Sequence, residues 1–397
     1  MPIARGLPAT GSKIDMTLPV LFEDLVAGNG ARIGVARLNA ERSLNALSLE
    51  MIDLLAQRLA FWAADPGVAI VVLEGTGDKA FSAGADLHKM HATMIAHHAS
   101  PQRDDIRANP YAAAFFGREY RLDYLIHTYP KPILCWGHGI VMGGGVGLMS
   151  GASHRVLTHE SRVAMPEITI GLFPDVGGSW LLERMPGATG LFLALTGARL
   201  QASDALFVKV ADYCIGQSNK ATVFERLVTQ PWEQAPAANH RQLSALLRDF
   251  AAPALPSGPL RQHFDLINQL CGGTELIDIV AALTGLKTED SWLARAVTTL
   301  AAGSPSTAAL SYELQRRVKY LSLADVFRLE FVAALHCASR PDFAEGIRAL
   351  LIDKDQRPRW QPNTLAQISG EWLEGYFNNP WTQQEHPLAD LGTMPRP

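Results

Sequence analysis

Cysteine is scarce in this chain of 397 residues, which holds only Cys135, Cys214, Cys271 and Cys337. They stand far apart, with no Cys-x-x-Cys pair and no histidine at metal-ligand spacing. That pattern gives no signal for a disulfide framework or a zinc site and fits free buried thiols in a reducing compartment. Nowhere do eighteen apolar residues run together, so the sequence offers no membrane-crossing helix. The first twenty residues, with Arg5, Lys13 and Asp15, lack the apolar core of a secretory signal. A surplus of positive charge is also missing: 35 Lys and Arg against 39 Asp and Glu leave a formal net charge of -4. This speaks against a nucleic-acid coat or a basic membrane face. There is no internal repeat and no low-complexity tract. The expectation is a soluble cytoplasmic protein that binds neither nucleic acid nor membrane and holds any anionic ligand by local features.

Apolar residues, by contrast, are plentiful. With 48% of its residues hydrophobic and 19% charged, the chain can bury one large core, alone or with a helical appendage. Between residues 22 and 220 short β-type runs alternate with helical periods. Strands are expected at 32–38, 69–74, 133–136, 155–158 and 162–164, and helices at 49–64, over a long stretch after 74, and at 146–150. This alternation argues for an α/β core with short, fully buried strands. Past about residue 221 strand signals almost vanish, and helical periods take over, broken by Pro-rich stretches at 230–237 and 252–259 and by Gly303 to Pro305. The expected organisation is a core at 22–220, a helical region at 221–377, and flexible ends at 1–21 and 378–397.

Three segments can carry chemistry. The first, Gly77 to Leu87, follows a strand and strings small residues together (Ala83-Gly84-Ala85), so a ligand can approach the backbone and meet a free N–H. The second, Lys131 to Leu148, places Gly143-Gly144-Gly145 between a strand and a helix, with bare amides at the positive end of the helix dipole. No Gly-Lys-Ser/Thr follows, and the order G-x-G-x-x-G is absent, so neither a Walker loop nor a dinucleotide fold is indicated. The third, Ala164 to Ser179, carries Glu167 and Asp175, each directly after a proline and flanked by apolar residues. Carboxyl groups in so poorly solvated a loop suit a nucleophile or base beside a proton carrier. Each segment alone has a plain alternative: a strand-to-helix loop for the first, a turn residue before a helix capped by Ser179 for Asp175, and a surface ion pair for Glu167. His97 and His98 read as a solvated helix end, and His138 as packed beside the glycine turn rather than on a metal.

Taken together, in order and spacing, the segments resemble the crotonase, or enoyl-CoA hydratase/isomerase, superfamily. The resemblance implies an α/β crotonase-like spiral of ββα units with a helical carboxy-terminal region. It implies an acyl-CoA lying between the first two loops, its thioester oxygen held by the N–H groups of Ala85 and Gly144. Ala83, Gly84, Asp86, Leu87 and Gly143 would line the substrate, with Arg42 and Lys79 as candidates for the CoA phosphates. Coenzyme A would enter as part of the substrate, with no separate cofactor and no metal. Trimer-based homo-oligomers are implied as well.

Hydratases of this superfamily carry two catalytic glutamates, and the first of those positions is here Gly147. Adding water across a double bond needs a base and an acid, and this chain offers Asp175 instead. Met165-Pro166-Glu167 with Phe173-Pro174-Asp175-Val176-Gly177-Gly178, Ser304-Pro305-Ser306 and the block from Leu351 to Trp360 resemble the 3-hydroxyisobutyryl-CoA hydrolase branch, over roughly residues 22 to 377. Phe115-Phe116-Gly117-Arg118-Glu119-Tyr120 is similar to that branch's Phe-Phe-x-x-Glu-Tyr, which implies that Glu119 accepts a hydrogen bond from a hydroxyl on the acyl group. The chain departs from the branch at Ala85, where Gly is usual, at Ser82, where Cys is common, and at Val332, where a late Glu-Tyr-Arg pattern puts Arg. The implied activity is hydrolysis of a short 3-hydroxyacyl-CoA thioester. Hydratase or isomerase chemistry and a non-catalytic acyl-CoA-binding protein stand as the alternatives.

Overall fold

Strands buried on both faces need apolar side chains at every position, and this chain supplies them. The computed structural model describes residues 17–393. Its main sheet has the order β1-β2-β3-β5-β7-β9, formed by Val20–Val26, Arg32–Leu38, Val68–Gly75, Ile133–Gly137, His154–Leu157 and Tyr213–Cys214. Within it only the β1–β2 pair is antiparallel. A second, parallel sheet has the order β4-β6-β8 and is made of Ala80–Ser82, Ile140–Met142 and Arg162–Ala164. Each long strand is thus followed by a short one, then by helix or loop: β3 then β4, β5 then β6, β7 then β8. This is the expected ββα spiral.

Alternation along the long strands feeds two cores. Ile33, Val35, Ile70, Val72, Leu134 and Trp136 point to one face, where they meet Val223, Leu227, Leu243 and Leu247. Ala36, Leu38, Val71, Leu73 and Cys135 point to the other, under α1 (Leu49–Ala64). That helix starts at Ser48, whose hydroxyl accepts the Met51 N–H, and it buries Ile52, Leu55, Leu59 and Trp62 along one stripe. Gly34 is required beneath it, because a Cβ there would come within 2.6 Å of the Trp62 indole. The helices after residue 220 cover the outer face of the sheet and also enter the core beneath α1, so they share both cores.

The strands at 32–38 and 162–164 and the helix at 49–64 fall where the periodicity puts them. Strands β4 and β6 were not legible: at three residues each, inside glycine-containing loops, they are too short to show a period of two. The expected flexible ends differ from the fold. Val20 and Leu21 are buried in β1, and residues 1–16 lie outside the described residues. Over 378–393 the chain packs down, with Leu388 buried and Asp390 paired to Arg121 at 2.6 Å; residues 394–397 lie outside the described residues. His97 is likewise no solvated end: it is buried, with its ring nitrogen 3.1 Å from the Gln102 carbonyl oxygen. His138 does pack at the glycine turn, with Nε2 2.8 Å from the Gly77 oxygen. All four cysteines are free and buried. Among the described residues no helix is long and apolar enough to cross a membrane.

Candidate active site

The small sheet explains why three distant segments meet. Its strands are parallel neighbours, so their carboxy-terminal ends lie side by side. The residues that follow each one converge at that edge: Ala83 to Asp86 and then α2 (Leu87–His98) after β4, Gly143 and then α4 (Gly144–Ser150) after β6, and Met165 to Glu167 after β8.

 The long helix α3 (Pro110–His127) passes behind them and places Phe116, Glu119, Tyr120 and Asp123 on one face by their spacing of three and four. Ala83, Gly84, Ala85, Asp86, Leu87, Glu119, Gly143, Gly144, Glu167 and Asp175 all line one cavity of about 420 Å³. Its far wall is Phe343, Leu350 and Leu351. A larger open groove of about 630 Å³, lined by Pro101, Arg107, His336 and Asn378 among others, contains none of these residues.

Two amides are free to face the cavity. Leu47 bridges residue 85 in parallel fashion: its N–H donates to the Gly84 oxygen at 2.7 Å and its oxygen accepts the Asp86 N–H at 2.9 Å. A parallel bridge of this form uses the groups on either side of Ala85, so the Ala85 N–H points the other way, and it finds no acceptor among the described residues. Gly144 is the first residue of α4, where an N–H has no intrahelical acceptor. The two loops touch: a Cβ on Gly84 would lie 3.6 Å from the Gly144 nitrogen. Gly143 turns the chain at φ 50 and ψ -123, a conformation open to glycine. A Cβ there would stand 3.3 Å from Glu167 Oε1, and a Cβ on Gly144 would collide with the Glu119 carboxyl group.

Glu119, Asp123, Glu167, Asp175 and Glu330 are all buried, and among the described residues none of them has an Arg or Lys ion-pair partner. Like charges in so dry a place cannot all ionise. Burial, and then the neighbouring Asp175, hold Glu167 well above the ordinary carboxyl range. Burial with Asp175 and Glu167 does the same to Glu119, and burial with Glu119 and Asp175 to Asp123. Asp175 is pushed by burial only to about 7, since the Tyr120 hydroxyl and its own N–H hold it down. Tyr120 donates to Asp175 Oδ2 at 2.8 Å. Of the buried carboxyl groups lining the cavity, Asp175 is therefore raised least. Glu167 Oε2, Glu119 Oε1 and both Asp123 oxygens have no hydrogen-bond partner among the described residues.

Asp175 sits on a tight turn closed by the Gly178 N–H, which donates to its carbonyl oxygen at 2.7 Å. Both central residues have positive φ, Val176 at 55 and Gly177 at 79, as mirror-image turns require. A valine held there costs on the order of 1–3 kcal/mol, so its surroundings must fix it. Residues Gly178–Glu183 then form α5. Gly147, the position where hydratases carry their first glutamate, faces this turn: a Cβ there would lie 2.7 Å from Val176 Cβ and 3.1 Å from Asp123 Oδ1.

Of the other expected contacts, the Asp86 side chain caps α2 by accepting the His88 N–H at 3.2 Å, so its share in the cavity wall is separate from that cap. Arg42 and Lys79 are exposed and do not line the cavity, although Ser43, next to Arg42, does. Tyr120, Asp123 and Glu330 were not singled out in the sequence. Tyr120 stood inside the Phe-Phe-x-x-Glu-Tyr motif and Glu330 at the head of the late Glu-Phe-Val, so motif position was the only available signal.

A family model for enoyl-CoA hydratase/isomerase matches residues 33–377. The chain belongs to that family. Among its relatives, the mitochondrial 3-hydroxyisobutyryl-CoA hydrolase of Danio rerio is 35% identical over 91% of this chain and 89% of its own length. The enzyme of the same name from Xenopus tropicalis is 35% identical over 87% of this chain and 86% of its own. Among solved structures, a carnitinyl-CoA dehydratase from Mycobacterium thermoresistibile superposes with a TM-score of 0.79 at 32% identity, covering 91% of this chain and 96% of that one. This family member thus has the crotonase fold, with the long helical carboxy-terminal region included in the match.

Proposed function

We propose that this protein hydrolyses a short 3-hydroxyacyl-CoA thioester, with 3-hydroxyisobutyryl-CoA, the compound in its relatives' names, as the first candidate. The observation that carries hydrolysis over hydration is Gly147. The space a second glutamate would need is taken by Val176 and backed by the Asp123 carboxyl, while Asp175 enters the cavity from the turn beyond. A hydratase reading, prompted by the dehydratase name of the structural relative, would leave Glu167 without the acid partner that hydration needs.

In the proposed reaction one proton is shared between Glu167 and Asp175. As the thioester carbonyl enters, the proton passes from Glu167 to Asp175, and Glu167 becomes the carboxylate. Glu167 attacks the carbonyl carbon, a C–O bond forms, and the Ala85 and Gly144 N–H groups hold the oxyanion, each worth about 3 kcal/mol in such sites. The C–S bond then breaks, and the thiolate takes the proton from Asp175. Asp175 next removes a proton from water, whose hydroxide attacks the Glu167 carboxyl carbon of the mixed anhydride, breaking its bond to the acyl oxygen, releasing the acid and restoring Glu167. Direct attack by water with Glu167 as base uses the same residues. A single turnover in water enriched in heavy oxygen separates the two, because label enters the Glu167 side chain only by the covalent path.

The deciding assay is thiol release from 3-hydroxyisobutyryl-CoA, followed with a thiol-reactive dye, beside loss of enoyl absorbance with crotonyl-CoA. Thiol release abolished by Glu167→Gln supports the proposal. Enoyl consumption without thiol release removes it.

A further inference from the structure

We infer that Glu330 is a positioning residue for Asp175, reaching from the carboxy-terminal helices to hold the turn on which Asp175 is mounted. The inference deepens the proposed hydrolysis and rests on it. Glu330 lies on the helix Leu323–Ser339 and is fully buried. It accepts the Gly177 N–H on Oε2 at 2.7 Å and the Ser179 N–H on Oε1 at 3.1 Å, and the Ser179 hydroxyl donates to Oε1 as well. These amides belong to the start of α5, where no intrahelical acceptor exists. A carboxyl group this deep with no cation beside it is costly to keep, and its hydrogen bonds go to Gly177 and Ser179, within three residues of the strained Val176.

The same helix also steadies the side chain of Asp175. Phe327, one turn before Glu330, packs its ring 5.6 Å from that of Tyr120, the donor to Asp175, and it closes over Gly177, where a Cβ would lie 3.2 Å from the Phe327 ring. One helix therefore fixes both supports of Asp175: the backbone through Glu330, and the hydroxyl partner through Phe327. Glu330 does not line the cavity and touches no reacting atom. A cap serving stability alone would leave turnover intact once the protein is folded, whereas a positioning residue sets the rate through Asp175.

The test compares kcat and KM for thiol release in wild type, Glu330→Gln, Ser179→Ala, Asp175→Asn and the double variant Asp175→Asn/Glu330→Gln. Gln keeps the volume but turns one acceptor into a donor facing an N–H. We expect folded Glu330→Gln to lose about 10- to 100-fold in kcat, the scale of a small misplacement of a catalytic group, with KM within about threefold. Ser179→Ala, which keeps both amides, should lose less in the same sense. The double variant should be no slower than Asp175→Asn within about twofold, since Glu330 acts through that residue. A folded Glu330→Gln with wild-type kcat, or losses that multiply in the double variant, overturns the inference. If Glu330→Gln does not fold, wild-type kcat in Ser179→Ala overturns it in the same way. Asp175→Asn as active as wild type would remove the function on which the inference stands, which is a different result from an active wild type, a silent Asp175→Asn and an unaffected Glu330→Gln.

Discussion

Replacing Tyr120 by Phe should move the pH dependence of hydrolysis rather than abolish activity. Tyr120 is wholly buried, its ring 5.9 Å from Phe116 and 5.6 Å from Phe327, and Phe preserves that packing. What is lost is the hydroxyl that donates to Asp175 Oδ2 at 2.8 Å. A hydrogen bond to a charged group contributes about 1.5–3 kcal/mol, and one pH unit corresponds to about 1.4 kcal/mol. Burial now sets Asp175 at about 7, with Tyr120 holding it down. Losing that donor should raise it by about 1–2 pH units. The acid limb of kcat/KM, which reports the Asp175–Glu167 pair, then shifts alkaline by the same amount. At pH 7 the ionised fraction falls from about one half to roughly 1–10%, so activity drops ~5- to 50-fold and largely returns at about pH 9. A kcat/KM profile from about pH 5 to 10 measures this directly. An acid limb that stays in place, or a loss equal at every pH, would refute the assigned hydrogen bond and its electrostatic role.

The remaining predictions concern stability and selectivity. Asp175 keeps its proton to about 7 when folded, against about 4 in an unfolded chain. Its contribution is thus fully present below about pH 4 and is lost as pH rises through 7, at up to about 1.4 kcal/mol per pH unit. Urea midpoints should fall more steeply between pH 5 and 7 in wild type than in Asp175→Asn, and equal slopes contradict the shift. Gly147→Ala places a methyl 2.7 Å from Val176 Cβ and should cost about 1–3 kcal/mol in the same experiment; an unchanged midpoint means that the turn gives way. Glu119→Leu should lower the preference for 3-hydroxyisobutyryl-CoA over isobutyryl-CoA by about tenfold in kcat/KM, the value of one hydrogen bond to a hydroxyl. A preserved ratio would take Glu119 away from the substrate hydroxyl.

β2, β3 and α1 could be read from sequence because their apolar residues run or recur over seven residues or more, as in Arg32–Leu38 and Leu49–Ala64, whereas β1 at Val20–Val26 was not expected. The loops of the candidate site could be read because their order and spacing together resemble one superfamily, although each alone had a plain alternative, and Ala85, Gly144, Glu167 and Asp175 do share one cavity. What joins them could not. The sheet that joins them pairs β8, which was legible, with β4 and β6, each three residues long and inside a glycine-containing loop, too short to leave a period. Glu330 lies more than 150 residues from the turn it holds, at sequence separations of 153 and 151 from Gly177 and Ser179, and a glutamate inside an apolar helix looks the same in sequence whether it caps a distant turn or faces water. Tyr120 illustrates the same limit: its place in a motif was visible, its partner was not.

Phe343, Leu350 and Leu351 close the far side of the cavity from a stretch that contributes neither oxyanion donor and neither member of the Glu167–Asp175 pair. This wall and the proposed bond-breaking groups therefore reside in parts of the chain that can mutate separately. A lineage could exchange bulky for small side chains at these three positions and reshape the cavity, leaving the four carboxyl- and amide-bearing residues opposite inherited unchanged.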